Sequence, residues 1–186
     1  MRSAIIMMFV IALTTGCGVA SVAPYLGDSD VRFDTALVGT WQDSEGKESA
    51  MISADGSHGY RIVYRENDGK SGTFVAKLGV LGRYRVLDVQ PDDPAPGASA
   101  IYRSLLLPAH GLLVIDSIGR ELTFRLIEAD SLEAFLERRP SATPHTRVDG
   151  ATLLTGSTGE VRRFLLAFLQ QPNVVTQAEV WRRLSP

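Results

Sequence analysis

Eight short strand-like segments between residues 37 and 126 constrain the fold more than any other feature of this chain. Each is rich in apolar, β-branched or aromatic residues, and turn-forming residues such as Asp55-Gly56 or Asn67-Asp68-Gly69 separate it from the next. Strands in such close succession favour an antiparallel meander, and a meander that closes has no exposed edges. The predicted strands are 37–42, 49–53, 60–65, 73–80, 83–90, 101–107, 112–118 and 122–126.

The hydrophobic period changes after residue 129, where the sequence predicts two or three helices. One ends before Pro140, a second begins at the capping box 157–160 with Ser157 as its N-cap, and a short third lies at 177–184. A ninth strand is predicted at 151–155. The predicted fold is therefore mainly β with a helical C-terminal part. Its core is an eight- to nine-stranded antiparallel meander, curled into a closed barrel or left as an open sheet.

The N-terminus has the features of an export signal. A short positive end, Met1-Arg2, precedes ten apolar residues at 4–13, too few to span a bilayer core, which requires about 20. Small residues follow, and then comes Cys17, the single cysteine. The segment resembles a bacterial lipoprotein signal, which implies a signal peptide at 1–16 and lipid attachment, including palmitate, to Cys17.

This resemblance also implies a location in the cell envelope. Gly18 stands where aspartate would be the usual signal for retention in the inner membrane, so the outer membrane is predicted, with its periplasmic side favoured over the surface. Residues 17–36 mix Gly, Pro, Ser and Asp without a clear period, and they are interpreted as the lipidated cysteine and a flexible tether of up to about 60 Å. A single β-rich domain then occupies 37–186. The net charge of −2 argues against a nucleic-acid partner.

A short motif on the first predicted strand, Gly39-Thr40-Trp41, is similar to the Gly-x-Trp motif of lipocalins. The resemblance implies a barrel whose tryptophan seals one end, beneath an arginine that Arg120 or Arg125 would supply, and whose open end holds an apolar ligand. The chain from Leu37 to Leu184 also resembles a set of bacterial lipoproteins with no established activity. The residues that suggest this include 39–41, Leu87-Asp88-Val89, 107–110 and 153–158.

The sequence does not indicate an enzyme. Ser157 lies in a glycine-rich segment between a predicted strand and helix, which is the setting of a hydrolase nucleophile. However, Thr155 replaces the first glycine of that motif, and no histidine follows His145. Ser157 is therefore interpreted as a helix cap. No catalytic residue, metal site or cofactor is predicted.

Two functions remain open. The leading hypothesis is a non-enzymatic domain that binds an apolar small molecule or lipid, with Trp41 as a structural residue. Asp88 shares a strand face with Tyr84 and Val86, so it needs a partner from another strand unless the strand turns it outward. The alternative is a structural or assembly module that holds an envelope protein through the sheet or through the helix of Phe164 and Phe168. The candidate ligand-binding residues are Tyr60, Ile62, Tyr64, Tyr84, Val86, Asp88 and Tyr102.

Overall fold

The computed structural model describes residues 19–92, 97, 106, 108–148 and 150–185. The predicted strand at 101–107 lies outside these residues except for Leu106. The described helices are α1 (Ala129–Arg138) and α2 (Thr158–Phe168), and single 3-10 turns lie at Asp28–Asp30 and Thr35–Leu37. The strands are β1 (Ala20–Ser21), β2 (Val31–Arg32), β3 (Gly39–Gln42), β4 (Ser49–Ala54), β5 (Tyr60–Arg65), β6 (Ser71–Leu81), β7 (Tyr84–Pro91), β8 (His110–Ile118), β9 (Glu121–Leu126), β10 (His145–Val148), β11 (Ala151–Leu154) and β12 (Glu179–Ser185).

Eight antiparallel strands close into a barrel, which confirms the predicted fold class. Strands β3 to β9 pair with their neighbours in chain order, and β12 inserts between β9 and β3 to complete the ring. Alternate side chains of these strands point inward, so the barrel has an apolar interior. Closure leaves no free edge among these eight strands.

The closing strand is where the sequence prediction was wrong. Residues 177–184 do not form a short helix, because β12 occupies Glu179–Ser185 and places Trp181 in the barrel interior. The apolar residues Val180, Trp181 and Leu184 have a spacing that also fits one face of a helix, which explains the error. The predicted ninth strand does form, as β11, but it pairs with β10 and β1 outside the barrel.

Large side chains fill one half of the barrel interior. Trp41 is fully buried there, and its indole N–H donates to the backbone oxygen of Leu37 at 2.9 Å. The guanidinium carbon of Arg183 lies 4.1 Å from the centre of the Trp41 ring, and the same guanidinium donates to the backbone oxygens of Ala36 and Val38. This half of the interior is therefore solid, and it is fixed to the turn that precedes β3.

The arginine over Trp41 is not one of the two that were predicted. Arg183 provides it from β12, whereas Arg125 pairs with the carboxylate of Asp116 at 2.7 Å. Arg120 contacts this arginine through its backbone oxygen, which accepts a hydrogen bond from the amide of Arg183. The prediction failed because the strand that carries Arg183 had been assigned as a helix.

A second apolar core lies outside the barrel, where α1 and α2 cover the outer faces of β7 and β8. Phe164 and Phe168 of α2 are buried there, with their rings 5.7 Å apart. They pack in one cluster with Val86 of β7 and Val114 of β8. Since both faces of these strands are buried, their side chains do not alternate between apolar and polar. Phe164 and Phe168 therefore belong to the interior of the protein, and a partner held through their helix stays a prediction.

Residues 19–36 are not a free tether in this structure. Val19, Tyr25 and Leu26 are buried in the second core, and the Tyr25 hydroxyl donates to the backbone oxygen of Val19 at 2.8 Å. Strand β2 also pairs with β6. Gly79 of β6 leaves the space that Leu26 fills, because a Cβ atom on residue 79 would lie 2.6 Å from the Leu26 side chain. A few large apolar residues therefore fix a segment whose average composition suggested a linker. Within the described ranges, no helix has the length and apolar character needed to cross a bilayer.

Candidate ligand-binding site

The other half of the barrel interior contains a cavity of about 570 Å³. Its walls are mostly the inward-facing apolar side chains of the barrel strands. Seven strands each contribute at least one of them, including Ala50, Ile62, Phe74, Leu87, Leu113, Phe124 and Trp181. The small side chain of Ala50 leaves room in the wall that a larger residue would occupy. The cavity follows from a closed barrel that is filled by bulky residues in one half only.

Aromatic side chains line one side of this cavity. The ring of Trp181 stacks on Tyr64 with centroids 6.2 Å apart, and it meets Phe124 edge to face at 5.9 Å. Such rings provide a flat, apolar and polarisable wall at low cost in conformational entropy. Trp181 was missed from the sequence because its strand was predicted as a helix.

The cavity opens toward the β3–β4 connection at 43–48, the β5–β6 turn and the start of β12. The Tyr64 hydroxyl donates to the carboxylate of Glu48 at 2.8 Å at this mouth. Burial raises the pKa of the Tyr64 phenol far above its usual range, and the hydrogen bond to Glu48 raises it further. Tyr64 therefore stays a neutral donor at physiological pH and links the apolar interior to the polar rim.

Only part of the predicted binding set lies in the cavity. Ile62 and Tyr64 line it, whereas Tyr60 lies in the solid half of the interior. There the Tyr60 hydroxyl donates to the backbone oxygen of Asp34 and accepts from its amide. Tyr102 and Cys17 lie outside the described residues.

Three further members of that set, Tyr84, Val86 and Asp88, lie on the outer side of the barrel. Leu87 and Val89 of the same strand line the cavity, so the residues that alternate with them point outward. The predicted common face of β5 and β7 is therefore wrong, because both faces of β7 are apolar and the pattern did not distinguish them.

Asp88 is the most buried charged side chain on that outer side, with 5% of its surface exposed. One carboxylate oxygen accepts from the amide of Tyr25 at 2.8 Å, and the other lies 2.7 Å from Nδ1 of His110. The partners of the Asp88 carboxylate are thus the backbone amide of Tyr25, in the N-terminal segment, and a histidine of the neighbouring strand β8. This carboxylate fixes the N-terminal segment to the barrel.

Ser157 occupies the N-cap position of α2. Its backbone amide and its hydroxyl both donate to the carboxylate of Glu160, at 2.8 and 2.7 Å. The hydrogen bond from the Ser157 hydroxyl, with that from its amide, lowers the pKa of Glu160. The hydroxyl is thus held by a carboxylate within its own helix turn, whereas a catalytic serine is held by a general base such as histidine.

Comparison of the chain with protein-family models, with curated proteins and with solved structures finds no match. The geometry of the cavity and the N-terminal sequence are therefore the features of this chain that bear on its function.

Because three tyrosines are buried or partly buried, we expect the stability of the fold to fall at alkaline pH. Burial raises the pKa of Tyr25, Tyr60 and Tyr64 above the usual value of about 10. The free energy that these neutral phenols contribute to folding is fully present below the pKa of tyrosine in the unfolded chain. It is lost as the pH rises above about 10, because the phenols of the unfolded chain ionise first. We expect the urea midpoint to fall from pH 9 to 11, with three of the five tyrosines silent in the absorbance titration until the protein unfolds. Ionisation of all five near pH 10 in the folded protein would contradict this.

Proposed function

We propose that this protein is a lipid-anchored domain of the bacterial cell envelope whose barrel binds an apolar small molecule or lipid. The observation that carries the proposal is the cavity inside the barrel, open at one end and lined mainly by apolar side chains. Its volume of about 570 Å³ falls in the range of about 300–1,000 Å³ typical of small-molecule sites. A stable barrel does not require such a space, since side chains normally fill small barrels.

The lining favours binding over catalysis. Among the described residues that line the cavity there is no histidine or cysteine, and the carboxylates belong to the mouth rather than to the apolar interior. The histidine that does have a carboxylate partner, His110, lies on the outer side of the barrel. A non-enzymatic role is therefore part of the proposal.

The anchor is proposed from the signal-like N-terminus and Cys17. Since Val19 is already buried, covalent geometry allows at most about 7 Å between the Cα atoms of Cys17 and Val19. A lipid on Cys17 would then hold the barrel close to the bilayer, unlike the mobile domain that a long tether would allow. The proposed location is the periplasmic side of the outer membrane.

The anchor is tested with Cys17→Ala. We expect this variant to remain uncut and to lose metabolic labelling by a fatty acid, because the thiol that receives the lipid is gone. Wild-type protein should be recovered with the outer membrane after density separation. Undiminished label in the variant, or recovery of the wild type with the inner membrane, would contradict the corresponding part of the proposal.

The binding function is tested by filling the cavity. Ala50→Phe places an aromatic ring in the cavity wall, and we expect it to abolish retention of small molecules in native mass spectrometry of the extracted protein. Ala167→Phe, the same change at an exposed position of α2, is the control and should leave retention unchanged. Circular dichroism establishes that both variants fold. Equal retention by wild type and Ala50→Phe would contradict binding in the cavity, and a co-purifying protein without any small molecule would favour the assembly module instead.

A further inference from the structure

The mouth of the cavity is strongly acidic. Four carboxylates and one ammonium group belong to the described residues that line it: Asp43, Glu45, Glu48, Glu179 and Lys47. The ammonium of Lys47 lies 2.6 Å from the carboxylate of Glu45, and both side chains are largely exposed. These two charges offset each other, so the remaining charge of the described residues at the mouth is negative.

Two of the other carboxylates are held in position. Asp43 accepts from the backbone amides of Lys47 and Glu48, at 2.8 and 3.1 Å, which fixes the β3–β4 connection. Glu48 accepts from the hydroxyl of Tyr64, whose ring lines the cavity. The Glu48 carboxylate is half-buried and lies where the apolar wall meets water.

We propose that the ligand of this barrel is a cationic amphiphile, with an apolar body in the cavity and an amine or quaternary ammonium group at the mouth. This inference rests on the proposed function and specifies its ligand class. The apolar wall selects the body of the ligand, and the charge at the mouth selects its headgroup. A cation there is attracted by Glu48, Asp43 and Glu179, whereas the carboxylate of a fatty acid is repelled by them.

The attraction is strengthened by partial burial. Charges near a protein surface interact several times more strongly than in bulk water, because the effective dielectric constant is lower. Tyr64 occupies one side of the Glu48 carboxylate with a neutral hydrogen-bond donor, which does not cancel the negative charge. We therefore expect an alkylammonium to bind about tenfold more tightly than the alkyl alcohol of equal length, and the alkyl carboxylate more weakly than either.

The test uses three probes with the same decyl chain: decylammonium, decanol and decanoate. Each is titrated into the full mature protein by calorimetry at neutral pH, below the concentration at which micelles form. The expected order of affinity is ammonium, alcohol, carboxylate. The ammonium preference should shrink strongly in about 1 M salt, where the Debye length is about 3 Å, while alcohol binding should not weaken.

Glu48→Gln removes the charge but keeps an oxygen for the Tyr64 hydroxyl. We expect it to weaken ammonium binding by about threefold to tenfold and to leave decanol affinity unchanged. Glu137→Gln, which removes the same charge from an exposed position of α1, should alter neither affinity.

The outcomes separate the inference from the function on which it rests. Binding of decanol without a preference for the ammonium, or with a preference for decanoate, overturns the inference and supports the apolar cavity as a binding site. An ammonium preference that survives both Glu48→Gln and high salt also overturns it, because the headgroup would then not lie at this mouth. Failure of all three probes to bind overturns the proposed binding function itself, and the inference with it.

Discussion

Trp41→Ala is expected to lower the free energy of unfolding by about 3–5 kcal/mol, as truncation of large core aromatics does. Trp41 has no exposed surface and fills the solid half of the barrel interior. Its removal leaves a cavity, removes the donor to the Leu37 oxygen, and takes away the ring on which the Arg183 guanidinium lies. The last of these losses also weakens the closure of the barrel, because Arg183 belongs to the strand that completes it.

Urea unfolding followed by circular dichroism measures this loss, since removal of one of the two tryptophans alters the fluorescence signal. Met51→Ala is the matched control: Met51 lies on β4, beside the Trp41 strand, and 54% of its surface is exposed. Its truncation should change stability by about 0.5 kcal/mol or less. A loss below about 1 kcal/mol for Trp41→Ala would mean that this half of the interior is not the closed core described above.

Strands joined by short turns were predictable from the sequence, because turn residues and β-rich runs are local signals. The meander from β3 to β9 is of this kind, apart from the predicted strand at 101–107, which lies outside the described residues. The strand that closes the barrel was not predictable in the same way. Its partners, β9 and β3, lie more than fifty residues away, and only this long-range pairing selects an extended backbone for Trp181 over a helical one.

The inner wall of the cavity was predictable where a strand has one apolar face and one exposed face. On β5 the alternation of Ile62 and Tyr64 with Arg61 and Arg65 identified the inward residues correctly. On β7 it did not, because α2 covers the outer face of the strand and makes that face apolar as well. The acidic mouth was not predictable either: Asp43, Glu45 and Glu48 are close in sequence, but only the fold places them with Glu179 at the open end of an apolar cavity.

Composition was equally misleading for the N-terminal segment. Residues 19–36 mix Gly, Pro, Ser and Asp with apolar residues in no clear period, but Val19, Tyr25 and Leu26 are buried in the second core. One buried polar contact of this segment joins the amide of Tyr25 to Asp88, sixty-three residues away, beside the backbone pairing of β1 and β2. A buried carboxylate between apolar neighbours was the one signal of such a contact in the sequence.

Asp88→Ala is therefore expected to loosen the N-terminal segment around Tyr25, while β1 and β2 keep their strand partners, and to lower the free energy of unfolding by about 2–4 kcal/mol. The variant leaves the buried amide of Tyr25 without its acceptor and the ring of His110 without its partner, and each unsatisfied buried group costs about 1–3 kcal/mol. Asp88→Asn keeps an oxygen for the Tyr25 amide, so we expect it to lose less stability than the alanine variant.

Urea unfolding gives the loss of stability, and limited proteolysis between residues 19 and 30 shows whether the segment has detached. Asp116→Ala removes a carboxylate from an exposed position on β8, where it pairs with Arg125. Exposed pairs contribute about 0–1 kcal/mol, so this control should lose little stability and should not expose the N-terminal segment to protease. If Asp88→Ala loses less than about 1 kcal/mol and the segment stays protected, its apolar contacts through Tyr25 and Leu26 are sufficient to hold it. A detached segment in the alanine variant would instead establish Asp88 as the group that keeps the chain next to Cys17 fixed to the barrel.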